Sequence, residues 1–127
     1  MAFHASIRIS DIDRSLEFYR AIGLEERGRF HAPEGRTVVF LDEVSMTRDS
    51  EFEYSLELNY AAGVNRYEMG TAYRHIGITT TELDAVLAAL AEQGVEPEWS
   101  PNVPEGAKVR VCFVRDPDGY QVELIGH

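Results

Sequence analysis

Hydrophobic and polar residues alternate along this chain in short runs. Phe3, Ala5, Ile7 and Ile9 alternate with His4, Ser6 and Arg8, the period-two pattern of a strand with one buried face. The same pattern predicts strands over 25–31, 36–41 and 51–59, and again over 74–79, 95–99, 108–114 and 120–125. Two stretches switch to a helical period: Ile12, Leu16 and Tyr19 form one stripe, and Leu83, Val86, Leu87 and Leu90 another. Ser10 and Thr81 stand where a hydroxyl caps a helix, each with an aspartate three residues on, Asp13 and Asp84. Gly23 and Gly94 fall where a helix ends in the left-handed conformation. Asp116-Pro117-Asp118-Gly119 is a hairpin turn signal, because Pro presets φ and Gly tolerates a positive one.

These elements occur twice. A shift of 71 positions brings His4 onto His75, Ile7 onto Ile78, Asp13 onto Asp84, Leu16 onto Leu87 and Gly23 onto Gly94. Five identities in 21 positions exceed the one or two, roughly, that residue frequencies give. Each half reads β-α-β-β-β. A single domain over 1–127 is expected, with module one at about 1–60, a connector at about 61–73 and module two at about 74–127. A module of that size buries little core alone, so the two are expected to pair.

Alternation also sorts the polar strand residues. His4, Ser6 and Arg8 oppose the apolar side of the first strand, as Ser55, Glu57 and Asn59 oppose Phe52, Tyr54, Leu56 and Leu58. In the second half His75, Gly77 and Thr79 oppose Ile76 and Ile78, and Gln121 and Glu123 oppose Tyr120, Val122 and Leu124. Each half thus offers one early His and one late Glu on the face away from its helix. Two imidazoles and two carboxylates suit a first-row divalent ion and leave open positions for a substrate. His4, Glu57, His75 and Glu123 are therefore the candidate metal ligands, while His31 and His127 have no counterpart in the other half.

Composition narrows the partners. With 22 acidic against 12 basic residues the net charge is −10, which disfavours nucleic acid and anionic membrane surfaces. No apolar run approaches the ~20 residues of a membrane helix. The first residues lack the basic-then-apolar layout of a signal peptide. The one cysteine, Cys112, cannot form an internal disulfide and reads as inert. A cytoplasmic location is expected.

The same residues carry a family resemblance. His4 and Arg8 in H-x-x-x-R, RSLEFY at 14–19, SLEL at 55–58, YEMGTAYRHIGI at 67–78 and FVRDPDGYQVELI at 113–125 resemble glyoxalase I (lactoylglutathione lyase) of the vicinal oxygen chelate superfamily, in its short bacterial form. The resemblance implies an α+β fold of two βαβββ modules and a homodimer. The metal would lie between chains, with His4 and Glu57 from one and His75 and Glu123 from the other. The implied reaction isomerises the hemithioacetal of methylglyoxal and a low-molecular-weight thiol, in the family glutathione, to the S-lactoyl thioester through an enediolate. Glu123 matches the carboxylate that moves the proton, with Glu57 its counterpart across the metal. His at the first ligand position and the short chain resemble the nickel- or cobalt-preferring class more than the zinc-preferring one. Arg8 matches a glutathione-contacting arginine, and Asn59 and Arg74 are further candidate substrate contacts. Two features depart from the family: Ala61 and Ala62 stand where T-Y/H-N-W-G has Asn and Trp, and Arg74 stands where the short form has Gly. Other readings on this scaffold are an epimerase, a thiol transferase or a dioxygenase, and a metal-free drug-binding module of the bleomycin-resistance type.

Overall fold

The alternating residues of the first half build a four-stranded sheet. In this computed structural model, which describes residues 1–127, the chain divides into two units, Met1–Tyr67 and Glu68–His127. Unit 1 contains β1 (Ala5–Ile9), α1 (Ile12–Ala21), β2 (Leu24–Ala32), β3 (Arg36–Glu43) and β4 (Leu56–Ala61). Its strand order is β1-β4-β3-β2, with β1 and β4 parallel and the other pairs antiparallel. Ile7, Ile9, Val39, Leu41, Leu56 and Leu58 are buried on the strands, and Leu16, Phe18 and Tyr19 on the helix. A bulge falls at Arg27, between Glu26 and Gly28 of β2. The Arg27 guanidinium donates to the carbonyls of Glu43, Val44 and Met46 and so holds the start of the β3–β4 loop.

Unit 2 contains β5 (Ile76–Thr80), α2 (Leu83–Glu92), β6 (Arg110–Arg115) and β7 (Gln121–Gly126), in sheet order β5-β7-β6. Here β5 and β7 are parallel and β6 and β7 antiparallel. The sequence shift of 71 carries β1 onto β5 and α1 onto α2 with both ends coinciding. Gly23 (φ 98°) and Gly94 (φ 78°) end the two helices in the left-handed region, as expected.

Several local expectations are corrected. Helix α1 is capped by Asp11, not Ser10. Asp11 is the last extended residue (φ −151°), and its carboxylate accepts the Arg14 N–H at 2.9 Å. In α2 the cap position is Glu82, with no side-chain bond across the first turn; Thr80 Oγ1 instead accepts the Glu82 N–H at 3.0 Å. Residues 95–99 do not form a ladder strand. Glu98 N–H donates to the Phe113 carbonyl and Asn102 bridges Val111, but Pro97 and Pro101 lack the N–H groups that would join these contacts. Strand β4 starts at Leu56 rather than at 51, and β1 at Ala5, so Phe3 and Phe52 lie outside the ladder and are 87% and 77% exposed.

Candidate metal and catalytic site

In unit 1, His4 immediately precedes β1, and the parallel register sets Ser6 beside Glu57, with Phe40 of β3 on the other side of Glu57. This brings His4 Nε2 to 3.7 Å from Glu57 Oε2. The Tyr54 hydroxyl donates to that same oxygen at 2.7 Å. The Tyr54 ring lies between those of His4 and Phe40, with centroids at 4.5 and 4.6 Å. Burial, then the hydrogen bond and charge of Glu57, push the Tyr54 hydroxyl up to about 12, so it remains a donor at neutral pH.

Unit 2 repeats the arrangement. Gly77 lies beside Glu123, and Phe113 of β6 lies on its other side. His75 Nε2 is 3.8 Å from Glu123 Oε1. The His75 ring meets Phe113 at 5.4 Å, and Trp99 continues the aromatic row at 5.2 Å from Phe113. The Tyr73 hydroxyl donates to the Gln121 carbonyl at 2.8 Å, tying the residue two before His75 to the residue two before Glu123. That contact gives the G-T-A-Y-x-H segment a physical role.

The structure thus brings His4 to Glu57 and His75 to Glu123, and neither unit gathers three such side chains by itself. Arg8 is the register neighbour of Asn59 on the exposed face of unit 1. Asn59 Nδ2 donates to Ser6 Oγ at 2.6 Å and to the Ile7 carbonyl, which ties it to β1. Arg74 is exposed just before His75. His31 Nδ1 contacts Thr37 Oγ1 on the β2–β3 hairpin, His127 is exposed at the C-terminus, and Cys112 is wholly buried; none belongs to either pair. Ala62 takes a structural role: its N–H donates to the Gly35 carbonyl, and a Cβ at Gly35 would lie 2.9 Å from the Ala62 Cβ. The hairpin tip therefore packs where the family pattern has a tryptophan.

Sequence reasoning missed Tyr54 as part of the site. The signal was present, because Tyr54-x-x-Glu57 recurs as Tyr120-x-x-Glu123. Alternation placed Tyr54 on the apolar side with Leu56. It precedes the first residue of β4, and its hydroxyl reaches Glu57.

The donor set fits a divalent ion. Two atoms each about 2.1 Å from one ion stand at most about 4.2 Å apart, and both His–Glu separations, 3.7 and 3.8 Å, lie inside that limit. Both are also too long for a direct hydrogen bond.

Residues 2–124 match the family model of the Glyoxalase/Bleomycin resistance protein/Dioxygenase superfamily. The chain belongs to that superfamily. Within it, the chain is 35% identical over 124 residues to the lactoylglutathione lyase of Haemophilus influenzae, covering 96% of this chain and 89% of that one. The crystal structure of glyoxalase I from Zea mays superposes with a TM-score of 0.82 at 28% identity, covering 96% of this chain; the chain spans 43% of the maize chain. A trypanothione-dependent glyoxalase I from Leishmania major superposes with a TM-score of 0.75 at 32% identity, covering 97% of this chain and 84% of that one. The two sheets and two helices are thus those of the superfamily's α+β fold.

Proposed function

We propose that this chain is a glyoxalase I-like lyase, dependent on a divalent metal, that isomerises the hemithioacetal of methylglyoxal and a low-molecular-weight thiol to the S-lactoyl thioester. The observation that carries this reading is the recurrence of one His–Glu pair at equivalent strand positions in both units. The relatives named lactoylglutathione lyase support the reaction class. His4, Glu57, His75 and Glu123 would hold the ion, with nickel or cobalt preferred over zinc. When bound, the ion supplies Lewis-acid stabilisation of the negative charge that develops on the substrate's oxygens.

The chemistry left to the protein is a proton transfer between neighbouring carbons. Glu123 takes the proton from the carbon bearing the thiol and returns it to the adjacent one, first as base and then as acid. Its surroundings favour that role, since Gly77 opposite it presents no side chain and even an added Cβ would stand 3.7 Å from Oε1. Glu57, which accepts the Tyr54 hydroxyl, is the more restrained of the two carboxylates. Arg8, with Asn59 beside it and Arg74 before His75, would offset the −10 charge where an anionic thiol approaches.

Each unit supplies only one pair, so a homodimer in which each site takes His4 and Glu57 from one chain and His75 and Glu123 from the other completes the set. Phe3, next to His4 in the chain, and Phe52, two residues before Tyr54, are exposed, which suits a covered surface. A buried lone thiol at Cys112 suits the cytoplasm. The test is an assay of metal-loaded protein with methylglyoxal and a panel of thiols that includes glutathione and trypanothione. Thioester should form with at least one thiol. Glu123→Gln should lower turnover by about 100-fold or more while retaining metal. No thioester with any thiol would overturn the reading, and undiminished turnover in Glu123→Gln would overturn the base assignment.

A further inference from the structure

We propose that Tyr54 is a positioning residue that holds Glu57 and His4 ready to ligate, so that unit 1 supplies the rigid half of the site. The inference rests on the metal-site reading above and adds to it a residue outside the ligand set. Three observations carry it. The Tyr54 hydroxyl donates to Glu57 Oε2 at 2.7 Å, the short distance of a bond to a charged acceptor. Its ring is fixed between His4 and Phe40, so one side chain orders both members of the pair. And Tyr54 is only 8% exposed, while the next residue, Ser55, is pinned by its N–H to the Leu41 carbonyl and by its hydroxyl to Asp42.

A carboxylate oxygen has two lone pairs, so Oε2 can accept from Tyr54 and still ligate an ion. Partners of this kind orient metal ligands, and removing them lowers metal affinity about 10–100-fold. In unit 2 the equivalent Tyr120 packs its ring edge-on against Tyr73, at 5.3 Å, and the rung beside Glu123 is a glycine. The two halves therefore share a backbone plan and differ in how firmly each carboxylate is held. The firmly held one is suited to binding and the other to moving a proton.

The experiment measures nickel affinity, by competition with a chromogenic chelator, for wild type, Tyr54→Phe, Glu57→Ala and the double variant. Steady-state kinetics at saturating nickel accompany it. Tyr54→Phe keeps the ring stack and removes only the hydroxyl. Nickel binding should weaken about tenfold, KM for the hemithioacetal should stay unchanged, and the effect should vanish in the Glu57→Ala background. Nickel binding as tight as wild type in Tyr54→Phe overturns the positioning role. A tenfold loss that persists without Glu57 also overturns it, because the hydroxyl would then be acting on the fold at large. Wild-type protein that binds no nickel overturns the metal-site reading itself, and this inference with it.

Discussion

Replacing Arg48 by Met removes one side of a clasp that holds the β3–β4 loop. The Asp42 side chain is fully buried, and its carboxylate accepts from Arg48 Nε at 2.8 Å, from Arg48 Nη2 at 3.1 Å and from Ser55 Oγ at 2.6 Å. The Arg48 hydrogen bonds, aided by those of Ser55 and the Glu43 backbone, outweigh burial and pull the Asp42 carboxyl from 3.8 down to about 2. At about 1.4 kcal/mol per pH unit, that difference is about 2–3 kcal/mol of stability from the whole set of partners, the Arg48 bonds supplying the largest share. For a chain of this length, loss of that share corresponds to a drop of up to about 7 °C in Tm. The depressed pKa sets the sign: the contribution is complete above about pH 5, roughly halved at pH 3, and lost as pH falls through about 2. Thermal melts followed by circular dichroism from pH 7 to pH 3, on wild type and Arg48→Met, check both features. The gap should be constant near neutrality and shrink below about pH 4. Equal melting temperatures at pH 7, or a gap unchanged at pH 3, would refute the reasoning.

Gly126→Ala should destabilise by about 1–3 kcal/mol, because its Cβ would stand 2.6 Å from the Thr80 carbonyl oxygen and 3.0 Å from the Leu83 Cβ. A melt indistinguishable from wild type would contradict that crowding. Cys112 is wholly buried, and burial raises its thiol pKa; thiol reagents should modify it only as fast as the chain unfolds, whereas rapid labelling of native protein would contradict its placement.

Strand alternation and the repeat made much of the arrangement legible. The 71-residue shift identified His4 and His75 as equivalents, and the parity of β4 and β7 put Glu57 and Glu123 on the faces that carry them. What escaped depended on contacts between residues far apart in sequence. Arg27 clasps carbonyls 16 to 19 residues away, and Tyr54 packs against a histidine 50 positions earlier; no local period encodes either. The Asp11 cap was missed for a different reason, since the choice between Ser10 and Asp11 turns on which residue is the last extended one. The missing strand over 95–99 was readable in principle, because Pro97 and Pro101 remove ladder donors from an otherwise alternating run.

The most direct test of a site shared between chains is complementation. One chain carries His4→Ala with Glu57→Ala, the other His75→Ala with Glu123→Ala, and each alone should bind no catalytic ion and show no turnover. In a mixed dimer of the proposed kind, one of the two sites regains all four ligands. Random reassociation of equal amounts should therefore restore about a quarter of wild-type metal binding and thioester formation. Two folded variant chains that exchange partners yet regain neither would contradict the shared site.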